Sequence, residues 1–528
     1  MAQPKKTFKF KLIAAAVFGA LTVMAAQKAD AQVTAQGGCN NYTPTQGDIV
    51  SCSPELSTAT SGVQTPDNNT GNNDVTVRVF PETVLSVNGS TIGLGSGSKI
   101  TNEGTLFTQS FRYGYGMSAG VNGRSTAGGN TLTNESAGII LTNGNDAHGM
   151  YVNARQSSAT SNTITNKGSV TTTGNRSDGI RLYTESTTAT DSILTEGSIE
   201  TSGEDASGIH VQNTQTVTEI TNKGSITVND LSGHGIYIEG AADVMNSGMI
   251  AADASGYAIY VVDNGNTNAN TVTLSGDEVN ITGALQFSTT RTEEKLVFDD
   301  IGNSSAPFEF SNGITGLNVI EVTASGSYVN MGATGGYDLV DAVMTVSSSN
   351  SQLNVTGDIR GTGGLTKNGD GILRVSGTNT YTGGTDLEAG TIVAASDQAL
   401  GAGTLTAKAD GVVLQAGKSN LTLSNAVQLT DNLVIDTADK LVLLTGDVSG
   451  SGRLIKRGNG TLELAGENSF SGGTEVESGT LALDVNAASS TGEVVMAADT
   501  QVKADTTLSL DNVFKLRGPV EFNTQGFD

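Results

Sequence analysis

Five aspartates recur at similar places in the first half of the chain and could supply the carboxylate pair that cleaves a glycosidic bond. That reaction needs two carboxyl groups roughly 5–9 Å apart, and stacked repeats could bring two such side chains together. Their distances to the next small residue of the repeat vary from one to five positions, however, which is typical of turn residues. We expect turn aspartates rather than a catalytic pair; the five are Asp146, Asp178, Asp205, Asp230 and Asp253.

The other reactive residue types form no recognisable site. His148 and His234 both precede a repeat glycine and could be stacked neighbours, but with His210 they lack the further ligands of a zinc site. Oxygen ligands are abundant without the fixed spacing of a calcium loop. Segment 116–120, Gly-Met-Ser-Ala-Gly, matches a nucleophile elbow but precedes no helix, and segment 93–97 lacks the lysine of a phosphate loop. We predict no catalytic residue, no metal and no cofactor.

The first 31 residues have the pattern of a secretory signal peptide. Lysines precede an apolar run from Leu12 to Ala26, and Ala29-Asp30-Ala31 is a small-x-small cleavage pattern, which predicts cleavage between Ala31 and Gln32. The run is shorter than the ~20 residues of a membrane span. Cleavage removes five lysines and one aspartate, which moves the net charge from −25 to −29. Such a chain repels nucleic acid, so no nucleic-acid partner is expected.

The only two cysteines, Cys39 and Cys52, follow the cleavage site closely. An exported protein meets oxidising conditions, and no further metal ligands lie nearby. We therefore predict a disulfide between Cys39 and Cys52 that closes a short loop.

Two short motifs alternate along the first half of the chain and predict the fold. The first, apolar-Thr-Asn-x-Gly-x-apolar, has clear copies around Asn102, Asn166, Asn222 and Asn246. The second, Gly-apolar-x-apolar, recurs after 30, 29, 27 and 23 residues. Alternation of apolar and polar residues predicts half-buried strands, and Asn-x-Gly predicts a tight turn whose glycine has positive φ. One repeat cannot bury its own apolar face, whereas stacked repeats can, with the asparagines in a ladder.

We therefore predict an all-β chain folded as a parallel β-helix, a solenoid. At roughly 25 residues per coil the 497 mature residues give about 20 coils, in a rod on the order of 95 Å long. A β-sandwich array is the alternative architecture, but it predicts hairpins rather than a period of single turns. The predicted segments are a signal peptide (1–31), a cap region with the cysteines (32–99), Asn-x-Gly coils (100–285), irregular coils (286–355) and a C-terminal β-helix (356–528).

A sharper repeat occupies 361–396 and returns 89 positions later in 450–485. Both copies share Gly-x-Gly-x-Leu-x-Lys-x-Gly-x-Gly, then Asn-x-Tyr/Phe-x-Gly-Gly-Thr, and both end in Glu-x-Gly-Thr. This frame resembles the passenger-associated transport repeat of autotransporters, the type V secretion proteins. The resemblance implies a right-handed β-helix that is exported through the inner membrane and displayed at the outer membrane and cell surface or secreted. It would be periplasmic if no translocator is available.

The family also implies a C-terminal translocator barrel, which we expect to be missing from this chain because its last residues still have the repeat-like pattern. A fragment, a truncated non-functional remnant and a passenger with a separate translocator all stay open. We predict a structural or adhesive role in virulence, by attachment to host surface or extracellular matrix molecules or by self-association, because repeats with a near-constant core and variable spacing form a rigid rod with changing loops. No set of residues makes an equally concrete case for catalysis, so we predict that the chain is not an enzyme; the alternative is a β-helical polysaccharide lyase or hydrolase.

Overall fold

A computed structural model describes residues 38–54, 62–64, 74–109, 112–120, 129–154, 160–253, 255–333, 336–484, 491–507, 510 and 512–526. The predicted signal peptide and its cleavage site at Ala31 and Gln32 lie outside these residues. Within them the chain has strands and turns and no helix, so no helix that could span a membrane is present there. The strands stack into a parallel β-solenoid of about 18 turns, which confirms the predicted fold class.

Short strands from successive coils form four sheets that run along the rod. The largest sheet contains Gly38–Cys39, Ile49–Ser53, Val63–Gln64, Thr76–Val79, Ile92–Leu94, Lys99–Asn102, Met117–Ala119, Thr131–Asn134, Met150–Ala154, Thr163–Asn166, Ile180–Thr184, Ser192–Thr195, Ile209–Asn222, Ile236–Asn246, Tyr257–Val262, Thr271–Ser275, Ala284–Gln286, Lys295–Asp299, Ile314–Val322, Tyr337–Val346, Ile359–Arg360, Leu365–Asn368, Thr385–Leu387, Leu405–Ala407, Val427–Leu429 and Val448–Gly450. The second sheet contains Val84–Val87, Thr105–Thr108, Ile139–Thr142, Ser169–Thr172, Ser198–Thr201, Ser225–Val228, Met249–Ala251 and Asn280–Thr282.

The other two sheets belong to the C-terminal half. The third contains Phe308–Phe310, Tyr328–Met331, Gln352–Val355, Ile372–Val375, Thr391–Ala394, Val412–Ala416, Leu433–Asp436, Leu454–Arg457, Thr474–Val476, Val494–Met496 and Phe514–Leu516. The fourth contains Leu421–Leu423, Leu441–Leu444, Thr461–Leu464, Thr480–Leu483, Thr500–Ala504 and Val520–Asn523. Long strands such as Ile209–Asn222 turn a corner of the coil, so the largest sheet covers two sides of the rod.

The core is a set of columns in which each apolar side chain lies above its counterpart in the preceding coil. Ile100, Leu132, Ile164, Ile193 and Ile220 form one such column, and each is at most 1% exposed. Burial of one such side chain stabilises the fold by about 1.5–3 kcal/mol. The period-2 pattern of the sequence therefore identified the inward-facing residues correctly.

The predicted asparagine ladder is confirmed, with two additional members. Asn102 Nδ2 donates to Asn134 Oδ1 at 2.8 Å, and Asn134 Nδ2 donates to Asn166 Oδ1 at 2.9 Å. The column continues through Thr195 before Asn222 donates to Asn246 at 2.6 Å. Asn102, Asn134 and Asn222 thus each satisfy a buried acceptor of the next coil, whereas the Asn246 amide donates to the carbonyl oxygen of Gly248 in its own turn.

The predicted positive φ at the Asn-x-Gly glycines is wrong. None of Gly104, Gly168, Gly224 and Gly248 is among the positive-φ residues of the described chain. Their small size matters instead, because a Cβ on Gly224 would lie 1.9 Å from the carbonyl oxygen of Gly197. Glycine is required there by the close approach of successive coils.

At the N-terminal end, Gly38–Cys39 pairs with Ile49–Ser53, the one antiparallel strand pair among the described residues. Cys39 lies opposite Cys52, and the two cysteines are joined by a disulfide bond.

Candidate binding face

One side of the rod carries two adjacent rows of polar and aromatic side chains, which we call the lateral ladder. The rows follow the second motif. One row consists of the residues that precede the motif glycine, or Ala258 in the last coil. At this position successive coils are joined by backbone hydrogen bonds, such as the one that the Gly149 amide donates to the carbonyl oxygen of Asp178. The other row is the variable residue of Gly-apolar-x-apolar, in parallel register from coil to coil. The first row is Tyr115, His148, Asp178, Ser207, His234 and Tyr257; the second is Ser118, Tyr151, Arg181, His210, Tyr237 and Tyr260.

The motif glycines lie where the chain passes close to both the core and the next coil. A Cβ on Gly179 would lie 2.3 Å from Ile199 Cγ2 and 2.7 Å from the carbonyl oxygen of Gly208. Only glycine allows the chain to bend there against both the core and the next coil. The ladder covers six coils, so it extends over about 24 Å of the rod.

The centre of the ladder is a buried chain of charges. His210 Nδ1 lies 3.2 Å from Asp178 Oδ2, and its Nε2 lies 3.0 Å from Glu239 Oε1. Arg181 Nη1 donates to the same Asp178 oxygen at 3.2 Å, and the amide of Ser207 donates to Asp178 Oδ1 at 2.8 Å. Asp178 is 1% exposed, so its carboxylate orders neighbouring side chains rather than facing solvent.

The protonation states follow from these contacts. Burial alone lowers the pKa of His210, but Asp178 and Glu239 outweigh it and raise this pKa above its usual value. Burial raises the pKa of Asp178, yet His210, His148 and Arg181 outweigh this effect and hold it at about 2. His148 accepts the Asp178 amide hydrogen at Nδ1, 3.0 Å away, and burial lowers the pKa of His148 to about 4. Of the two imidazoles, His210 therefore keeps its proton to the higher pH, and His148 is neutral at neutral pH.

Aromatic rings extend the ladder on both sides of this charged centre. Tyr115 stacks on His148 with centroids 5.6 Å apart. On the other side Tyr260 stacks on Tyr237 at 5.5 Å and on Tyr257 at 4.9 Å. Stacked neighbours cover one another's ring faces, so a ligand would meet ring edges and hydrogen-bonding groups. The arrangement is a rigid polar strip suited to binding.

The predicted aspartate positions do not form a catalytic pair. Asp178 is buried in the ladder, whereas Asp205 is exposed in a turn with φ +56°. Asp146 also lies in such a turn and accepts from Arg112 at 2.9 Å and from Arg176 at 2.8 Å. Asp230 accepts from its neighbour Ser232, which is typical turn chemistry. Asp253 is exposed. The turn prediction is therefore wrong only for the buried Asp178.

The prediction that His148 and His234 are stacked neighbours is wrong, because Asp178 and Ser207 separate them in the row. Ser118 of the elbow-like segment is buried and donates to the carbonyl oxygen of Ile92, which is the contact of a structural hydroxyl. Among the described residues no three His, Cys, Asp or Glu side chains are arranged to hold a metal ion.

Sequence reasoning missed the ladder as a unit, although a signal was present. The variable position of the second motif is Tyr, Arg, His, Tyr and Tyr in five successive copies. Large aromatic or cationic residues at one outward position of a stacked repeat predict a continuous surface strip.

The two C-terminal repeats contain a further feature that the sequence did not indicate, a lysine inside the core. Lys367 follows Met344 and precedes Leu387 in an apolar column, and Lys456 lies between Ile435 and Val476 in another. Each lysine is 0% exposed.

Each buried ammonium is held by three carbonyl oxygens. Lys456 Nζ donates to Arg457, Gly458 and Ser478 at 3.1, 2.6 and 3.0 Å. Lys367 makes the equivalent three bonds to the equivalent turns. We call these two arrangements the lysine clamps. Each clamp ties the turn after its strand to a turn of the following coil.

Comparison with known proteins agrees with these features. The family model of the passenger-associated transport repeat matches residues 365–394 and 454–483. The solenoid and these two repeats are features that the chain shares with passenger proteins of the autotransporter type.

The chain is also similar to one protein of that type: it is 30% identical over 281 residues to the Adhesin BmaC autotransporter of Brucella suis biovar 1 (strain 1330). The match covers 48% of this chain and 8% of that relative, so the chain spans a small part of that protein's length. No solved structure matches the chain significantly.

Proposed function

We propose that this chain is an exported, adhesive passenger that attaches cells to host surface or matrix molecules, or to one another, and is not an enzyme. The lateral ladder carries the proposal, because it is a continuous recognition strip on a rigid rod. Rigid scaffolds with repeated weak contacts suit multivalent attachment. The similarity to a protein described as an adhesin supports the same role.

The charge distribution supports binding rather than catalysis. A glycosidase needs two carboxyl groups that reach the substrate. In the ladder, Asp178 is covered and its oxygens are occupied by His210, Arg181 and a backbone amide. Glu239 is the more accessible carboxylate, and it accepts from His210. The cluster therefore works as a preorganised surface.

Display on a non-adherent bacterium through a foreign translocator barrel tests the proposal. Attachment to epithelial cells, attachment to immobilised matrix proteins and autoaggregation are scored for the wild type and for a variant with Tyr237→Ala and Tyr260→Ala. We expect at least one activity in the wild type and a clear loss in the variant. Tyr328→Ala is the matched control, since Tyr328 is a half-buried tyrosine of another sheet.

Absence of all three activities at equal surface expression would contradict the adhesive role. Turnover of a polysaccharide that disappears in Glu239→Gln would favour the enzyme instead.

Export is tested separately by N-terminal sequencing of the exported chain. We expect its first residue to be Gln32, and an exported form that still begins at Met1 would contradict the signal peptide.

A further inference from the structure

A polar cavity of about 410 Å³ lies beside the end of the lateral ladder, between loops 263–269 and 290–293. Its volume falls in the range of small-molecule sites. The side chains that line it include Asp263, Asn266, Thr290, Arg291, Thr292 and Glu293.

The first loop is held to earlier coils by a series of asparagine side chains. Asn264 Nδ2 donates to the carbonyl oxygens of Asn213 and Glu239 at 2.6 and 2.9 Å. Asn266 Nδ2 donates to Asn213 Oδ1 at 2.7 Å, and Asn268 Nδ2 donates to the carbonyl oxygen of Gln215 at 2.8 Å. These bonds preform one wall of the cavity, so binding would need little ordering of the loop.

Arg291 is the one cavity residue with buried side-chain donors that have no hydrogen-bond partner among the described residues. Its side chain is 5% exposed, and Nη1 donates to the carbonyl oxygen of Gly240 at 2.7 Å. Nε and Nη2 have no hydrogen-bond partner among the described residues. Nη1 also lies 3.5 Å from Oε1 of the buried Glu294. On the other side of the guanidinium, Asp263 Oδ1 lies 3.7 Å from Nη2, beyond hydrogen-bond range. The donors of buried guanidinium groups in proteins normally all have hydrogen-bond partners. Nε and Nη2 of Arg291 could therefore donate to oxygen atoms of a ligand.

The charges around Arg291 determine which acceptors fit. Asp263 and Glu293 also line the cavity, and the whole chain carries a net charge of −25. An anionic ligand would be repelled by both carboxylates. Hydroxyl groups can accept from a guanidinium and donate to carboxylates at the same time. We propose that this cavity binds a neutral, polyhydroxylated ligand, a sugar residue of a glycan.

The cavity adjoins the lateral ladder through two contacts. Arg291 donates to the carbonyl oxygen of Gly240, and Asn264 donates to the carbonyl oxygen of Glu239, whose side chain accepts from His210 of the ladder. A glycan whose terminal sugar enters the cavity could continue along the ladder. The inference thus names a ligand class for the proposed adhesive face, and its purpose rests on that proposed function.

Saturation-transfer NMR and calorimetry on the purified exported chain test the inference. The probes are glucose, galactose, N-acetylglucosamine and lactose, with glucuronate and inorganic phosphate as anionic comparisons. We expect saturable binding of at least one neutral sugar with a Kd of roughly millimolar order and no saturable binding of phosphate. Glu293→Gln should weaken binding at least fivefold, and Arg291→Lys should abolish it. Glu467→Gln, an exposed carboxylate far along the rod, should leave binding unchanged.

Several results would overturn the inference. Absence of saturation by every neutral sugar, or tighter binding of glucuronate or phosphate, would remove the neutral-ligand assignment. Equal sugar affinity in wild type and Glu293→Gln would show that the sugar does not bind in this cavity. Because Glu293 is exposed, its substitution tests the site even if Arg291→Lys fails to fold. Sugar binding by the purified chain without attachment of displaying cells would leave the inference standing and contradict the adhesive role alone.

Discussion

Replacement of Lys456 by methionine tests the lysine clamps directly. Methionine has nearly the same length and apolar character but carries no donor. Of the three carbonyl oxygens, that of Arg457 also accepts from the Thr437 amide at 3.0 Å, whereas those of Gly458 and Ser478 depend on the lysine within the described contacts. Two part-buried acceptors that lose their partner cost about 1–3 kcal/mol each. Relief of the desolvated ammonium offsets part of this cost, so we expect a net loss of about 1–5 kcal/mol in local stability.

Hydrogen exchange followed by mass spectrometry is the appropriate assay, because a solenoid opens locally rather than as one cooperative unit. A loss of about 2 kcal/mol lowers amide protection roughly 30-fold. We expect that fall in peptides from 454–483 in Lys456→Met, and in peptides from 365–394 in Lys367→Met. The rest of the rod should change much less.

Lys440→Met provides the matched control in the preceding coil. Lys440 is partly exposed and pairs with the exposed Asp439 at 3.3 Å, a contact of the kind that contributes at most about 1 kcal/mol. Unchanged protection in Lys456→Met, or an equal fall in Lys440→Met, would refute the reasoning. It would mean that the buried ammonium contributes no more than a surface lysine.

Three further predictions concern the coils nearer the N-terminus. Asp191→Asn should raise the melting temperature at pH 7, by an amount that corresponds to about 1 kcal/mol. Burial raises the pKa of Asp191 despite its bonds from Asn162, so the wild-type folded state loses stability as this carboxyl ionises. The gain in melting temperature of the variant should therefore vanish below about pH 4. An equal gain at pH 7 and below pH 4 would contradict the prediction. His210→Gln should lower stability most below about pH 6.5, and progressively less as the pH rises through the raised pKa of folded His210. The measurement is the difference in melting temperature between wild type and variant at several pH values. A difference that grows with pH would contradict the pairing of His210 with Asp178 and Glu239. Mass spectrometry should find no free thiols, and Cys39→Ser with Cys52→Ser should lose about 3 kcal/mol of local stability in the first coil; two free thiols in the wild type would remove the disulfide.

The sequence was sufficient for the repeating unit. Strands such as Thr163–Asn166 alternate buried and outward side chains, a period that is local and needs no knowledge of the neighbouring coil. Stacking of like repeats then follows, since a single coil cannot bury its apolar face. The asparagine ladder was predictable for the same reason, because each member occupies the same position of its repeat.

Contacts between unlike positions required the tertiary structure. His210 meets Asp178 and Glu239, which lie in the preceding and the following coil and in different frames of the motif. Their meeting depends on the parallel register in which adjacent coils stack. The sequence pattern placed the aspartates in turns, but it could not show that one of them would be covered by a histidine and an arginine.

The glycines and the interior lysines also show which features the local sequence determines and which depend on contacts between coils. The sequence indicated where the chain must bend, yet only the distance between coils showed that Gly224 is needed for space, whereas Gly458 has φ +84°. Lys456 has the polar type of a surface residue, and its place in the apolar column is decided by carbonyl groups of two different coils. Local periodicity determines which residues form strands and which face inward; the register and spacing of stacked coils determine which side chains meet.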